Sequence, residues 1–198
     1  MEKYHISSLS LEGYLYPLTY SFTKMPTLKE LIETMIKTLF KKLPKDYEEK
    51  LKNYNLSLNE AVIMASLIEL ESADPDERRK ISGVIWNRLN AKMPLGIDAS
   101  LIYGIKNYNG NISSSDLKDS NNEFNTRIRA GLPPTSIASP SLESLESVIN
   151  PESHNFYYYV LDFENLKKHI FSKSLTEHNF YVRKYIKAYK EQNNKKGN

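Results

Sequence analysis

Two glutamates close an otherwise apolar run. The stretch AVIMASLIELES, residues 61–72, has the length and composition of a buried helix, yet Glu69 and Glu71 stand at its C-terminal end. On a helix, Ile68, Leu67 and Met64 lie three, four and seven positions before Glu71, so Glu71 shares their apolar face. Glu69 shares its face with Ser66, Ala65 and Val62. A carboxylate among apolar side chains is desolvated, which raises its pKa. The negative partial charge of a helix C-terminus acts in the same direction. A carboxyl that keeps its proton at neutral pH is what general-acid chemistry requires. The competing reading is structural, with the acids paired to Arg78 or Arg79. Residues two apart project roughly 200° apart on a helix, so the two acids are not expected to cooperate as a pair.

The helix that carries them opens with a capping box, Ser57-x-x-Glu60. An earlier box, Thr27-x-x-Glu30, starts a helix with Leu28, Leu31, Ile32, Met35, Ile36, Leu39 and Phe40 on one stripe, and Pro44 stops it. Residues 45–55, KDYEEKLKNYN, read as a short helical connector. Asp74-Pro75-Asp76-Glu77 reads as the start of the next helix, with an Asp cap and Pro at the first position. That helix turns Ile81, Val84, Ile85 and Leu89 inward and ends near Met93-Pro94. Residues 95–140 are rich in Gly, Asn, Ser and Pro. A connector of that length is rare in a compact domain unless it builds a site, so it is expected to wall a groove with Glu71 at the floor.

A short helix follows from Ser139-Pro140 through Val148. Residues 156–163, FYYYVLDF, read as a strand, and KHIFS as its hairpin partner across a loop at 164–166. Ser174-x-x-Glu177 caps a last helix. The opening LEGYLYPLTYSF reads as an irregular segment pinned by aromatics. The fold class is α+β, helix-dominated, with a small antiparallel hairpin near the C-terminus. Residues 1–192 are expected to form the domain and 193–198 a disordered tail.

The chain of 198 residues, 40% hydrophobic and 26% charged, can build a core without staples. It has no cysteine, so disulfides and thiolate metal sites are excluded. His5, His154 and His169 have no spacing suited to a metal site, and neither metal nor cofactor is expected. The net charge of +3 is mild and fits solvated helix faces. No nucleic-acid motif is present, and no nucleic-acid partner is expected. There is no apolar run of membrane-spanning length, and MEKYHISSLS lacks the apolar core of a signal peptide. The chain is therefore expected to be soluble, without an anchor and without membrane contact of its own. It either comes from a cytoplasmic protein or is a part of a longer one.

A family resemblance adds to this reading. ASLIELE, ERRKISGVIWNRL, MPLGIDASLIYGI, FNTRIRAGLPPTSIASP, YYYVLDF and HIFSKSLTEHN, in that order, resemble the successive signatures of MltG-type endolytic lytic transglycosylases, the YceG-like family. LEGYLYPLTY resembles that family's entry motif. The match runs from about Glu12 to Ile186. The resemblance implies cleavage of the β-1,4 bond between N-acetylmuramic acid and N-acetylglucosamine in peptidoglycan glycan strands, leaving 1,6-anhydromuramic ends. It implies one catalytic glutamate, which falls on Glu71, with Glu69 as a supporting acid.

The resemblance also implies substrate roles for Asp98, Tyr103, Asn125, Thr126, Arg127 and His178. Arg127 is expected to pair with Glu69 or with substrate carboxylates. Asn125 is expected to face the groove and meet an N-acetyl group. In the parent protein the resemblance implies the outer face of the cytoplasmic membrane, beside cell-wall synthesis proteins. The family's membrane span and LysM-like module are not among these residues. Arg127 stands where some relatives have Tyr, and GLPPTSIASP departs from the commoner Gly-Pro-Ile-x-Asn-Pro. Two rivals stay open: a non-catalytic peptidoglycan-binding scaffold of the same fold, and a two-carboxylate muramidase with Asp98 as second acid.

Overall fold

The computed structural model describes Tyr4 and residues 6–196, with side chains to Glu191. His5 lies outside the described residues. The architecture is α+β: seven α-helices among the described residues and one two-stranded antiparallel sheet.

Helix α3, Leu58–Glu71, is the axis of the core. Both halves of the expected capping box form: Ser57 accepts from the Glu60 N–H, and the Glu60 carboxylate accepts from the Ser57 N–H. Every residue from Ala61 to Ile68 is buried, as a helix apolar on all faces demands. Truncating Leu67 or Ile68 to Ala would cost about 2–5 kcal/mol through the cavity left behind. Around α3 pack α2 (Tyr47–Lys52), α4 (Arg78–Asn90), α5 (Asp98–Tyr103) and α6 (Leu142–Ile149). Helix α1, Leu28–Lys42, opens at the Thr27–Glu30 box and buries Ile36 and Leu39.

The opening segment is irregular and pinned by aromatics. Tyr14 is buried, and its hydroxyl donates to Asn59 Oδ1 at 3.1 Å. Gly13 has φ +89°, and a Cβ there would lie 2.4 Å from Ser136 Oγ, so only glycine fits.

The bounds of five elements differ from expectation. Pro75–Glu77 forms a 3-10 turn, closed by the Glu77 N–H to Asp74 O at 3.0 Å, and α4 begins only at Arg78. Helix α6 begins at Leu142 rather than at Ser139-Pro140, because Ser141 is the residue whose side chain caps it. Strands β1 (Tyr158–Leu161) and β2 (His169–Ser172) are shorter than expected, with Tyr158 opposite Ser172 and Leu161 opposite His169. The intervening turn is correspondingly longer, and Asp162 and Asn165 side chains accept the N–H groups of Glu164 and Lys167 within it. Helix α7, Leu175–Lys196, runs past residue 192, so 193–196 are helical in backbone. Residues 197–198 of the expected tail lie outside the described residues.

The 95–140 segment is more ordered than its composition suggests. It contains α5 and a 3-10 turn at Asp116–Lys118. Buried polar side chains hold it to itself. Asn122 Nδ2 donates to Leu101 O at 3.0 Å, and Thr126 Oγ1 accepts from the Ile97 N–H at 3.0 Å.

Candidate active site

The two acids at the end of α3 go to different neighbours. Glu69 points toward α6, where its Oε2 accepts from Ser141 N–H (2.9 Å), Ser141 Oγ (2.6 Å) and Ser144 Oγ (2.6 Å). Its Oε1 pairs with Arg78 Nη2 at 3.2 Å. Burial pushes the Glu69 pKa up, but the bonds from Ser141 and Ser144 and the charge of Arg78 together outweigh it and hold the carboxylate low. Glu69 is thus a charged, saturated anchor between α3 and α6. Its partner is Arg78, not Arg127.

Glu71 points the other way, toward the hairpin. The Tyr159 hydroxyl of β1 donates to Glu71 Oε2 at 2.8 Å. Burial dominates at this carboxyl and raises its pKa. The Tyr159 bond, His169 and Arg88 pull the pKa down, and Asp98 adds to the rise. The net direction is upward, which shifts the group toward its protonated form relative to an exposed carboxyl.

Glu71 lines an open cleft of about 480 Å³. The cleft draws Asp98 from α5, Arg127 from the long segment, Arg88 from α4 and His178 from α7. Asp98 and Arg127 are joined by two contacts, Nη2 at 2.5 Å and Nε at 2.7 Å from the same Oδ1. Arg88 donates to the backbone oxygens of Tyr157 and Leu95, each at 2.5 Å. Its guanidinium lies 5.1 Å over the Tyr158 ring, which in turn stacks on His178 at 5.3 Å. Gly96, at φ +65°, lets the chain pass this guanidinium: a Cβ there would sit 3.1 Å from Arg88 Nη1. Burial and then Arg88 lower the His178 pKa, so this imidazole is neutral at neutral pH.

The cleft therefore gathers Glu71, Asp98, Arg127 and His178 of the residues expected from sequence. Tyr103, Asn125, Thr126 and Glu69 are elsewhere. Tyr103 is tied to Glu12 by a 2.5 Å hydrogen bond and packs on Phe124. Asn125 is fully buried; its Nδ2 faces the carbonyls of Asp116, Leu117 and Asp119, and its Oδ1 accepts from the Arg127 N–H. It satisfies a loop from within and leaves no amide for a sugar. Thr126 is buried against Ile97 and Ser100. Gly131–Pro134 lines a separate, smaller hollow.

Arg88 and Tyr159 are among the cleft residues outside the set named from sequence. Arg88 continues the inward stripe of Ile81, Val84 and Ile85 at helical spacing, and a charged residue on an apolar face is itself a signal. Tyr159 carried none, because strand alternation does not say which element the strand covers. A larger hollow of about 840 Å³ lies against α1, but its Glu30 is consumed in the capping box. Among the described residues no group of three or more His, Asp or Glu could hold a metal ion. No helix among them is long and apolar enough to cross a membrane.

Fold and cleft together define an α+β domain with a carboxyl of raised pKa at the end of a buried helix, facing an open cleft. The chain belongs to the YceG-like family, whose model matches residues 2–184. It is similar to the endolytic murein transglycosylase of Bacillus subtilis (strain 168), with 34% identity over 182 residues, 91% of this chain and 49% of that protein. The protein of the same name from Streptococcus pneumoniae is 38% identical over 156 residues, 77% of this chain and 28% of that protein. A crystal structure of a YceG-like protein from Listeria monocytogenes superposes with a TM-score of 0.77 at 31% identity, covering 85% of this chain and 54% of that one. The chain spans about half the length of the first of these relatives, and less of the second.

Proposed function

We propose that this chain carries the catalytic site of an endolytic lytic transglycosylase acting on peptidoglycan, with Glu71 as its single acid and base. One observation carries the proposal: a carboxyl with a raised pKa, held by Tyr159, in the lining of an open cleft. The names of its relatives support the substrate class.

The reaction follows from that carboxyl. Tyr159 donates to Oε2, so the proton rides on Oε1. Oε1 gives it to the glycosidic oxygen between N-acetylmuramic acid and N-acetylglucosamine, and the C1–O bond breaks. The carboxylate left behind takes the proton of the muramic 6-hydroxyl as that oxygen closes on C1. Atoms balance without water: one glycosidic bond is exchanged for one intramolecular 1,6-anhydro bond. Glu71 ends protonated, ready for another cycle. Ordinary glycosidases need a second carboxylate for the nucleophile or base; here the sugar supplies the nucleophile. Tyr159 and Arg88 favour the transient carboxylate, and burial favours the starting acid. The neutral His178, the Arg127–Asp98 pair and the Tyr158 face are the groups available to position sugars.

In the whole protein we place this activity on the outer face of the cytoplasmic membrane, beside cell-wall synthesis proteins. The test is mass spectrometry of peptidoglycan digested in ¹⁸O-labelled water. Unlabelled anhydro ends support the reading. Labelled reducing ends would make the protein a muramidase, with Asp98, in the same cleft, as the second carboxylate.

A further inference from the structure

A buried pair outside the cleft connects the turn that follows the acid's helix to the hairpin that carries its partner. Glu77 ends the 3-10 turn six residues after Glu71. Its Oε1 accepts from the His169 backbone N–H at 3.1 Å, and its Oε2 meets His169 Nδ1 at 2.8 Å. Their side chains are 12% and 7% exposed, so this contact is sheltered from solvent screening. One turn earlier, Asp74 reaches Lys168 at 3.7 Å, but that lysine is 53% exposed and the contact is weak. The start of β2 is therefore clipped to the turn chiefly through Glu77.

His169 faces Tyr159 on the other side. The two rings meet edge to face at 5.2 Å and 79°. Tyr159 pairs with Phe171 across the hairpin, two residues on from His169. The physical chain runs from Glu77 to His169, from His169 to Tyr159, and from the Tyr159 hydroxyl to Glu71 Oε2. Neither Glu77 nor His169 lines the cleft.

We propose that Glu77 and His169 are positioning residues for the Glu71 reaction: their pair holds the hairpin in the one placement that presents the Tyr159 hydroxyl to Glu71. The proposal rests on the function proposed above. A two-stranded hairpin is marginal on its own, so its placement depends on such ties. A shift of about an ångström at Tyr159 would break the 2.8 Å bond and leave the acid without its fixed partner.

The groups that act electrostatically on Glu71 are Tyr159 of β1, His169 of β2, Asp98 of α5 and Arg88 of α4. Of these, Tyr159 is the one whose hydrogen bond the clip would control. The discriminating experiment is a double-mutant cycle between Glu77→Ala and Tyr159→Phe, with kcat, KM and the pH profile measured on soluble glycan oligomers. Each single variant is expected to lower kcat about tenfold, the size of one lost hydrogen bond, with KM little changed. Each moves the alkaline limb of kcat/KM to higher pH, because the lost Tyr159 bond had favoured the Glu71 carboxylate.

The double variant is expected to be no slower than Tyr159→Phe alone, since Glu77 acts through Tyr159. Multiplying effects, or an unmoved limb in Glu77→Ala, would overturn the proposal and leave the pair a structural tie. His169→Phe, which keeps the ring edge and the burial, is the second variant if Glu77→Ala fails to fold; because His169 also acts on Glu71 by charge, its readout is kcat alone, expected to be non-additive with Tyr159→Phe, and multiplying kcat effects overturn the proposal. If Glu71→Gln and Tyr159→Phe both cleave at the wild-type rate, the proposed function fails instead.

Discussion

Tyr159 and Glu71, 88 residues apart in sequence, are joined by a 2.8 Å hydrogen bond that leaves one carboxyl oxygen committed and the other free. The bond assigns roles within a single carboxyl. Oε2 accepts this bond, and in the proposed mechanism Oε1 carries the proton. Glu71→Gln keeps the shape but cannot transfer a proton. Cleavage is expected to fall on the order of 100-fold or more, measured as release of soluble fragments from peptidoglycan. Wild-type turnover in this variant would remove Glu71 from the chemistry.

The same variant carries a stability signature. The folded pKa of Glu71 is raised above its ordinary value of 4.5, so between the two values the folded state binds more protons than the unfolded state. Stability attributable to this group then falls as pH rises above the unfolded value. Glu71→Gln is therefore expected to melt higher than wild type at neutral pH and to lose that advantage below pH 4.5. Melting curves across pH read this directly. An advantage that is equal at all pH values would mean that Glu71 is not desolvated.

Glu69 is expected to behave in the opposite sense. Its folded pKa is lowered, so its contribution is present above the unfolded value and is lost as pH falls through the folded one. Glu69→Gln leaves Arg78 and two serines short of a charged acceptor. It should lower the melting temperature at neutral pH by an amount equivalent to about 1–3 kcal/mol and spare kcat of the folded protein. A loss of turnover without loss of stability would return Glu69 to the site.

Local pattern made some of this legible and not the rest. The capping boxes at Thr27 and Ser57 and the all-round apolar run of α3 are local signals, and all three form as read. The separation of Glu69 from Glu71 follows from helical geometry alone. Asn125 is different. Its partners are backbone carbonyls six to nine residues away in a segment without periodicity, so nothing in the sequence says whether its amide turns in or out. The Tyr159–Glu71 contact depends on how the hairpin lies across the end of α3, which is tertiary information.

Asn125→Ala is accordingly expected to act on the fold. Removing the amide leaves three part-buried carbonyls and the Arg127 N–H without their donor or acceptor. The cost is about 1–3 kcal/mol, visible as a lower melting temperature. Arg127 moves with the loop, so KM should rise as the loop loosens, while kcat at saturating glycan holds. A variant of unchanged stability with a reduced kcat would put the Asn125 amide back against the substrate.

The Arg127–Asp98 pair at the cleft separates binding from stability most directly. The side chains are 39% and 48% exposed, and a pair so open to solvent contributes only about 0–1 kcal/mol to the fold. Arg127→Ala and Asp98→Asn should therefore leave the melting temperature nearly unchanged. Their effects on cleavage should differ in kind. Asp98 is a like charge that raises the Glu71 pKa, so Asp98→Asn lowers that pKa and moves the alkaline limb of kcat/KM to lower pH. The freed guanidinium of Arg127 acts in the same direction. This shift is opposite in sign to the one expected for Tyr159→Phe, which removes a bond that lowers the Glu71 pKa. Two variants with opposite effects on one carboxyl thus displace one limb in opposite directions. If both moved it the same way, the limb would belong to a different group, and Glu71 would no longer account for the pH dependence.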